Sequence, residues 1–548
     1  MVAPDETHHV WNQPPPFIDL NLVATDRVLL DAVAANSSGQ GTEDLFAFGE
    51  RWGTSDMAEL GRLANEYPPK LKTHDAYGRR ADIVEFHPAY HALMNASMEA
   101  GLHASTWHET DSGKPTCRGH LGRAAKLFIA AQVETGHICP ITMTHASVAA
   151  LAASPHLLKD WLPRIRSRRY DPRFRPFWEK TGVTLGMGMT EKQGGTDVRA
   201  NITGAELRNG DEYSLTGHKW FFSAPMCDAF LVLAQAPGGL TCFLVPRFRP
   251  DGTVNGLHLQ RLKDKLGNRS NASSEVEFVD AFAWRIGDEG RGIRTIIEMV
   301  QLTRLDCAIA SAGIVRRGLA LALHHARHRT VFGRRLVDQP AMTSVISDLA
   351  LEVEAMTALS FRLAASFDGA ESAEEAAYAR LLTPVAKFAI CKSAPGLVYE
   401  AMECLGGNGY VEESPLPRLY REAPVNAIWE GSGNVMALDV LRAANRDPDA
   451  VRAVIEGLVR DAGDLPGVPT AATDITATLL SPTAEGSARY ATERLAILAM
   501  TAALRRSAPA AVVEAYATTR LASPRRMIGA NDIDRVANIL LERALPLA

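Results

Sequence analysis

Hydrophobic residues recur at helical spacing through the first third of the chain. In the stretches 118–136 and 142–152 the apolar positions repeat every three to four residues, which is the period of an α-helix with a buried face. This pattern predicts a helical domain over 1–180, preceded by a loose Pro-rich arm. A basic, proline-containing segment, 164–172, reads as the connector that ends it.

Between 181 and 288 the apolar period falls towards two, which is typical of half-buried strands. The pairs Asn209-Gly210, Gly238-Gly239 and Asp251-Gly252 are typical of tight turns between strands. We therefore expect a small antiparallel β domain here, either a barrel or a sandwich. The candidate strands are 213–222, 229–235, 240–246, 256–262 and 274–283.

Helical periodicity returns after residue 288. Three long stretches, 293–328, 341–368 and 372–405, predict antiparallel helices of a bundle-like domain over 289–440. Alanine-rich stretches at 450–461 and 486–518 predict an additional helical domain over 441–548. The predicted fold class is therefore α+β multidomain.

Composition is ordinary for a globular protein, with 46% hydrophobic and 22% charged residues in 548. A net charge of −5 argues against a chain that coats nucleic acid through bulk charge. The seven cysteines are scattered, without a C-x-x-C pair or a histidine at metal-ligand spacing, so we expect no metal site. The start is polar and Pro-rich, and no uninterrupted apolar run reaches bilayer length, so the expected location is the cytoplasm, without membrane contact.

The last segment, 441–548, differs in charge from the rest of the chain. It holds thirteen Arg, no Lys and twelve acidic residues, so its net charge is +1 against −6 for 1–440. Arg505, Arg506, Arg525 and Arg526 lie among Ser, Pro and Thr, where phosphates could be contacted. Two interpretations stay open at this point: a DNA contact through these arginines, or a helical appendage that packs or oligomerises.

The stretch 421–434, R-E-A-P-V-N-A-I-W-E-G-S-G-N, carries the strongest candidate for catalysis. Pro424 and the glycines make a long helix improbable, so Glu430 is predicted at the tip of a short loop. Ile428 and Trp429 would desolvate its carboxylate, raise its pKa and make it a usable general base. Read locally, the same residues also suit an ordinary surface loop with one Glu.

Four further stretches could bind a ligand. Residues 186–198, G-M-G-M-T-E-K-Q-G-G-T-D-V, place two hydroxyls around a glycine pair, and 217–223, G-H-K-W-F-F-S, is an aromatic strand. Residues 329–333, R-T-V-F-G, offer an Arg fork that could grip a pyrophosphate, with Gln339 six residues on. Residues 403–410, E-C-L-G-G-N-G-Y, offer a Gly-Gly pair that lets a backbone approach it.

Together, in this order and spacing, these five stretches resemble the acyl-CoA dehydrogenase family. The resemblance covers about 180–440 strongly and the preceding helices more loosely. It implies an acyl-CoA dehydrogenase fold: an N-terminal helical domain, a small β domain and a C-terminal helical bundle. The extra domain and the stretches 139–144 and 261–273 are most similar to a bacterial branch of the family that is linked to the response to DNA alkylation.

The resemblance implies FAD as cofactor and Glu430 as catalytic base. Thr190 and Thr196 would bond the flavin edge, and Phe221 stands where relatives often have a flavin-shielding Trp. Arg329, Phe332 and Gln339 would hold the FAD of a neighbouring subunit, as in a homotetramer built as a dimer of dimers. The cofactor-binding residues implied are Met189, Thr190, Gly195, Thr196, Phe221, Phe222, Ser223, Arg329, Phe332, Gln339, Glu403, Gly406, Gly407, Ile428, Trp429, Gly431, Ser432 and Asn434.

Three positions depart from the family pattern. Glu403 stands where many relatives carry Gln beside the FAD pyrophosphate, and a carboxylate there would repel phosphate unless it is protonated or paired. The alternative carboxylate site of some relatives falls at Thr303, which cannot act as the base. Trp429 is bulkier than the residue often found there, so it would narrow the acyl pocket.

The implied reaction is α,β-dehydrogenation of a short or branched acyl-CoA, with weak activity. In the main hypothesis it coexists with association of the C-terminal domain with double-stranded DNA. The alternatives are a DNA-binding flavoprotein in which dehydrogenation is residual, and an ordinary metabolic acyl-CoA dehydrogenase without a DNA role.

Overall fold

The amino-terminal part of the chain is mostly helical, as its apolar period predicts. The computed structural model describes residues 10–37, 44–108, 116–117, 119–481, 483–523 and 533–546, with the backbone alone at 116–117. The helices described before residue 166 are α1 (Arg27–Asn36), α2 (Leu45–Trp52), α3 (Ser55–Glu66), α4 (Pro88–Glu99), α5 (His120–Ala131), α6 (Ile138–Leu151) and α7 (Pro155–Ile165).

Two short antiparallel pairs interrupt these helices, so the expectation of helix throughout this part is wrong for them. The pairs are β1 (Lys70–His74) with β2 (Arg80–Glu85), and β3 (Trp107–His108) with β4 (Thr116–Cys117). The first hairpin is charged and only half-buried on one face, which leaves a weak period-two signal. Arg80 donates to the Leu259 carbonyl at 2.9 Å and ties this hairpin to the β domain.

The middle of the chain forms a β-barrel. Each of the five predicted strands coincides with an observed strand, and two shorter strands were not predicted. The seven are β5 (Leu185–Gly188), β6 (Gly204–Asn209), β7 (Glu212–Ser223), β8 (Ala229–Ala236), β9 (Gly239–Pro246), β10 (Leu257–Leu262) and β11 (Ser273–Ile286).

The strand pairing closes the sheet on itself. The order runs β11-β7-β6-β8, and β9 pairs with both β8 and β11, while β10 and β5 extend the sheet outside this ring. Most pairs are antiparallel, as expected, but β5 and β6 each pair in parallel with β8. Strand β5 is short, and β6 pairs with β8 at one position only. The alternation of apolar and polar residues that predicted the antiparallel strands therefore did not reveal these two parallel pairings.

A helical bundle follows the barrel. Its three long helices coincide with the predicted stretches, and a small hairpin joins the first two. The elements are α8 (Gly292–His328), β12 (Thr330–Val331), β13 (Arg334–Arg335), α9 (Pro340–Asp368), α10 (Ala373–Glu403), α11 (Gly407–Tyr410), α12 (Leu416–Glu422) and α13 (Gly433–Arg446).

The extra domain is helical, as predicted, but the single helix expected over 486–518 is two helices. The chain breaks at Ala508, because Pro509 has no N–H for a helical bond and forces the residue before it into extended backbone. Two helices, α15 and α18, were not predicted. The elements are α14 (Pro448–Ala462), α15 (Val468–Leu479), α16 (Ala488–Ser507), α17 (Ala510–Tyr516) and α18 (Ala537–Ala544).

Buried ion pairs join the extra domain to the bundle. Arg520 bonds Glu352 at 2.7 Å and also pairs with Asp348, and all three side chains are buried. Arg543 pairs with Glu354 at 2.6 Å and with Asp31 at 2.8 Å. These contacts cross the predicted boundary at 440, so the extra domain shares charges as well as a core with α9.

Two hydrophobic cores organise the described residues. One runs through α1–α5, the bundle and the extra domain; the other joins the barrel to α6, α7 and the start of α8. This arrangement confirms the predicted fold of helical ends around a β middle. The three boundaries between the four predicted domains stay a prediction, because the second core crosses those near 180 and 288 and the first crosses the one near 440.

Among the described residues, two helices have the length and composition to cross a membrane, α8 and α10. Most of each helix is buried inside the bundle, where a long apolar helix is expected in a protein core.

Candidate active site

The Glu430 loop connects a 3₁₀ turn, Ala423–Ala427, to helix α13. Glu430 has a positive φ of 56°, which is strained for a residue with a side chain, and Gly431 follows at 97°. At this φ a side chain is strained, and a Cβ on Gly431 would also lie 2.6 Å from the Cε of Met436 and 3.0 Å from Cγ1 of Val435, so the position favours glycine. The loop predicted from the sequence is therefore present, with its backbone held in one unusual conformation.

The Glu430 carboxylate is directed into the protein, towards helix α8. Thr303 Oγ1 donates to Glu430 Oε2 at 2.7 Å. Burial raises the pKa of Glu430 above its ordinary value, while the Thr303 bond and the charges of Arg304 and Lys387 act in the opposite direction. A carboxyl with a raised pKa is a stronger base once it is ionised. Thr303, which the sequence excluded as a base, is thus the partner of the base.

Two buried cations hold the loop through its backbone carbonyls. Arg304 Nε donates to Glu430 O at 3.1 Å, and Arg304 is itself paired with Asp439 at 2.8 Å. Lys387 Nζ donates to Trp429 O at 2.8 Å and to Gly431 O. Three successive carbonyls are thereby fixed from α8 and α10. Neither cation was predicted from the sequence.

The apolar wall of the loop differs from the prediction. The side chain of Ile428 is 67% exposed, so it does not desolvate Glu430. Trp429 is half-buried, packs against the barrel core, and donates from its indole to Asn426 Oδ1 at 3.0 Å. Burial of the carboxylate therefore comes from the bundle helices and Trp429, because Ile428 points outward from a turn that the sequence pattern does not specify.

The glycine-rich stretch 186–198 continues strand β5 into a compact loop. Thr190 O accepts from Trp220 N at 2.8 Å, and Met189 O accepts from the Asn201 side chain at 3.0 Å. A Cβ on Gly195 would come within 2.4 Å of Thr190 Oγ1, so the glycine permits this close approach. Thr196 is exposed. The two hydroxyls and the loop backbone thus lie at the surface of the barrel, available to a flat polar ligand.

A buried ion pair that was not predicted from the sequence supports this loop. Glu191 Oε1 accepts from Lys219 Nζ at 2.6 Å, and neither side chain is exposed. Glu191 Oε2 also accepts from the Ile202 amide at 2.7 Å. The pair could have been predicted from one signal: the motifs M-T-E and K-W-F-F each carry a charged residue beside apolar ones. Buried charges are usually paired with an opposite charge, so these two residues were candidates for each other.

The aromatic strand β7 divides its rings between surface and core. Phe221 is 49% exposed, whereas Phe222 is fully buried 4.3 Å from the ring of Phe230. The side chain of Phe222 therefore packs in the core, and its predicted contact with the cofactor stays a prediction that concerns its backbone. A bulge in the pairing of β7 with β11 breaks the alternation at this point and leaves Trp220 partly exposed too. Ser223 ends the strand, half-buried.

The hairpin of β12 and β13 presents Phe332 at its tip. Phe332 is 95% exposed and has a φ of 52°, and Gly333 follows at 76°. Gln339 Nε2 donates to Val331 O at 3.0 Å, and Arg329 Nη1 donates to Asn12 O at 2.8 Å. These two side chains therefore support the hairpin and the amino-terminal arm.

The turn after α10 lies at the same end of the molecule as the hairpin. Gly406 has a φ of 60°, and neither Gly406 nor Gly407 has an atom within 4 Å of an added Cβ, so a ligand could approach this backbone. The amide of Asn408 reaches Gln13 at 3.5 Å, beside Asn12. Glu403 is exposed, and within the described part of the chain its carboxylate takes part in no ion pair.

The predicted cofactor residues fall into two separated groups. Arg304, beside Glu430, and Arg329 are 25 positions apart along α8, which at about 1.5 Å per residue separates them by roughly 37 Å. The first group contains Glu430 and, after the loop, Ser432 and Asn434; Asn434 accepts from Arg489 of α16 at 3.0 Å. One extended FAD cannot span both groups in one chain.

Family models match most of the chain. They are the "Adaptive response protein AidB N-terminal domain" over 12–172, the "Acyl-CoA dehydrogenase, middle domain" over 186–281 and the "Acyl-CoA dehydrogenase, C-terminal domain" over 290–444. The chain is similar to the "Putative acyl-CoA dehydrogenase AidB" of Escherichia coli K12, with 51% identity over 84% of each chain. It is 36% identical to "Acyl-CoA dehydrogenase family member 11" of Caenorhabditis elegans, over 76% of this chain and 69% of that one.

Solved structures give the same result for the fold. The Caenorhabditis elegans ACDH-11 structure in complex with C11-CoA superposes with a TM-score of 0.85 at 28% identity, covering 97% of each chain. A Bacillus anthracis acyl-CoA dehydrogenase complexed with FAD superposes at 0.67 and 15% identity, over 97% of this chain and 90% of that one, and this likeness concerns the fold alone. The chain belongs to the acyl-CoA dehydrogenase family of FAD-dependent oxidoreductases, in its AidB-type branch.

Proposed function

We propose that the protein dehydrogenates a short or branched acyl-CoA between its α and β carbons, with Glu430 as the base that removes the α proton. The observation that carries this proposal is the half-buried Glu430 carboxylate, which is bonded to Thr303 at 2.7 Å and set on a loop whose carbonyls are fixed. A strained, over-determined loop around a carboxylate with a raised pKa is typical of a catalytic base.

The α proton of a thioester is too weakly acidic for a carboxylate unless the developing enolate oxygen is stabilised. In the described structure, the Glu430 N–H donates to no protein acceptor, so it is available for that oxygen. FAD, when bound, would supply the acceptor for the β hydrogen, which leaves as a hydride. The protein's own part is to hold the acyl group beside Glu430 and to keep water from the carboxylate.

The loop of 189–196 and the end of β7 fit a flavin ring. Thr190, Thr196 and Ser223 offer hydroxyl donors, Gly195 lets the backbone lie close, and the exposed ring of Phe221 can stack on a flat ligand. The Glu191–Lys219 pair keeps this surface in place without contacting the ligand. The bulk of Trp429, adjacent to Glu430 in the loop, is the reason for expecting short or branched acyl groups.

The test is anaerobic bleaching of the flavin absorbance by a panel of acyl-CoAs from four to twelve carbons, straight and branched. The wild type is compared with Glu430→Gln, and Glu456→Gln, an exposed residue on α14, is the matched control. Bleaching by a short or branched member that falls by about 10⁴-fold in Glu430→Gln alone supports the proposal. Bleaching by no acyl-CoA with FAD still bound would overturn it, and bleaching by long chains alone would overturn the substrate class.

Completion of the cofactor site by a second copy of the chain is part of this proposal. The roughly 37 Å between the two residue groups means that Arg329, Phe332 and the Gly406 turn would serve the FAD of another copy. A homotetramer built as a dimer of dimers satisfies this requirement. Sedimentation of the FAD-loaded protein measures it, and a monomer with full FAD content would overturn it.

DNA association is a second candidate, favoured by one observation, the exposed guanidinium groups of Arg505 and Arg506 at the end of α16. Arg505 is partly committed, since it donates to the Ala462 carbonyl at 3.2 Å. Arg525 and Arg526 lie outside the described residues. Arg506→Ala should reduce the dependence of DNA affinity on salt concentration by about one counterion, while Arg294→Ala on α8 leaves it unchanged. An unchanged slope in Arg506→Ala would exclude this residue.

A further inference from the structure

Lys387 is a buried cation whose ammonium group bonds to the Glu430 loop. It lies in an apolar part of α10 and is 1% exposed. A charge in such a place costs free energy unless it is partnered. Within the described residues Lys387 forms no ion pair; its hydrogen bonds go to Trp429 O and Gly431 O. A helix that needed only packing at this position would carry an apolar side chain, so the lysine has a role in the loop.

The two bonds determine which way the peptide groups of the loop face. In a planar trans peptide the C=O and the following N–H point in opposite directions. Because Trp429 O points at Lys387, the Glu430 N–H points away from α10. The Glu430 carbonyl belongs to the next peptide and is held separately by Arg304, so neither peptide can rotate without breaking a bond to a buried cation. The free N–H and the carboxylate therefore belong to one residue with a fixed backbone.

We infer that Lys387 is a positioning residue for the dehydrogenation: its grip on the Trp429 and Gly431 carbonyls keeps the Glu430 N–H turned towards the thioester oxygen of the bound acyl-CoA. The inference rests on the proposed function and adds a residue that does not touch the substrate. It predicts two separable effects of Lys387, one on the direction of the N–H and one, through its charge, on the ionisation of Glu430.

The second effect depends on every charged group that faces Glu430. Arg304 on α8 and Lys387 on α10 favour the ionised carboxylate, and Asp439, paired with Arg304, stands behind them. The thiols of Cys139 on α6 and Cys307 on α8 also lie within electrostatic range, and burial raises the pKa of both. They are therefore neutral, and loss of Lys387 would move the pKa of Glu430 further up.

The first effect is measured without turnover. In Glu430→Gln protein loaded with FAD, the carbonyl stretch of bound isobutyryl-CoA, labelled with ¹³C at its carbonyl, is recorded by difference infrared spectroscopy. Polarisation by the residue-430 N–H lowers this frequency relative to the free thioester. Adding Lys387→Met should abolish most of that downshift, and adding Lys159→Met, an exposed lysine on α7, should leave it intact.

A second variant separates direction from charge and guards against a folding failure. Lys387→Gln keeps an N–H donor for the carbonyls but loses the charge, so it should retain most of the downshift. In the wild-type background it should move the rising limb of the pH profile of flavin bleaching to higher pH. Lys387→Met should show that displacement together with a fall in rate of about 100-fold.

The outcomes distinguish this inference from the proposed function. An unchanged downshift in the Lys387→Met double variant, with turnover by the wild type, would overturn the inference and leave the dehydrogenation standing. Equal losses in Lys387→Gln and Lys387→Met would also overturn it, because a merely structural lysine predicts that result. Absence of both turnover and any downshift would overturn the two together.

Discussion

Two turns in this molecule share a backbone conformation and differ in everything around it. In both, a residue with a side chain at positive φ precedes a glycine at positive φ: Glu430-Gly431 at 56° and 97°, and Phe332-Gly333 at 52° and 76°. The first is enclosed by α8 and α10, and buried cations hold its carbonyls. The second projects from the molecule with a phenylalanine that is 95% exposed.

The difference shows how the same local strain can be supported in two ways. At Glu430 the surrounding chain over-determines the backbone, as expected for a site whose geometry must be set before the ligand arrives. At Phe332 the tip itself has few contacts, and the support comes from Asn12 at the base of the hairpin. The ring of Phe332 therefore gains almost no burial within its own chain.

The glycines should give the largest contrast between the two turns. In Gly431→Ala the new Cβ meets Met436 at 2.6 Å in addition to the strain of positive φ. We therefore expect the free energy of unfolding to fall by about 3 kcal/mol or more, and FAD-dependent activity to be lost. In Gly333→Ala no atom lies within 4 Å of the new Cβ, so the free energy of unfolding should fall by about 1 kcal/mol, from the positive φ alone. Denaturant unfolding of both variants measures the difference, and equal losses would contradict it.

Ionisation of the Glu430 carboxyl should lower the stability of the folded protein, an effect for which the Phe332 turn has no corresponding group. Because burial raises the pKa of Glu430, the folded protein binds this proton to higher pH than the unfolded chain does. The corresponding stability is complete below the ordinary carboxyl range and is lost as pH rises through the folded-state pKa. Glu430→Gln should therefore melt above the wild type at pH 8, with the gap closing towards pH 4. A constant gap across this range would refute the assignment.

Thr303 should separate support of the side chain from support of the backbone. Thr303→Val removes the bond to Glu430 Oε2 and leaves the carbonyl contacts in place. Since that bond lowers the pKa of Glu430, its loss should displace the rising limb of the pH–rate profile to higher pH and reduce the rate at pH 6 about tenfold. Thr295→Val, on the same helix, is the control and should match the wild type.

Asn12 tests the support of the exposed turn. Its amide donates to Thr330 O and accepts from Thr330 N, both at 2.7 Å, so Asn12→Ala should cost about 1 kcal/mol, confined to the hairpin. Faster amide exchange at 330–335 with an unchanged melting temperature is the expected result. Cooperative loss of stability in the whole chain would mean that the arm supports more than the hairpin.

Phe332 should show the smallest effect on the isolated chain. Phe332→Ala removes an almost fully exposed ring, so unfolding of the monomer should change by less than about 0.5 kcal/mol. If a second copy covers the ring, assembly and FAD retention should weaken in the same variant. Normal assembly at all concentrations would remove the ring from the interface.

The sequence was sufficient for the fold and for the loop that carries the base, because periodicity and glycine spacing are local signals. It was insufficient for Thr303, Arg304 and Lys387, which reach Glu430 from helices 43 to 127 positions away. Their helices are buried on several sides, so no polar face marks them. A lone lysine inside P-V-A-K-F-A-I-C is nevertheless a detectable signal, since buried charges require partners. The prediction that Ile428 covers Glu430 was wrong for a different reason: in a turn, the apolar character of a side chain does not determine whether it points towards the core or the solvent.

The arginines that join the extra domain to α9 have a consequence for how the protein can be divided. Asp348, Glu352 and Glu354 are buried on one helix, and Arg520 and Arg543 of the extra domain bond to them. Cutting the chain near residue 440 would remove these two arginines from the three carboxylates and would expose the apolar seam in which they lie. The appendage is therefore an obligate part of the bundle rather than a removable module.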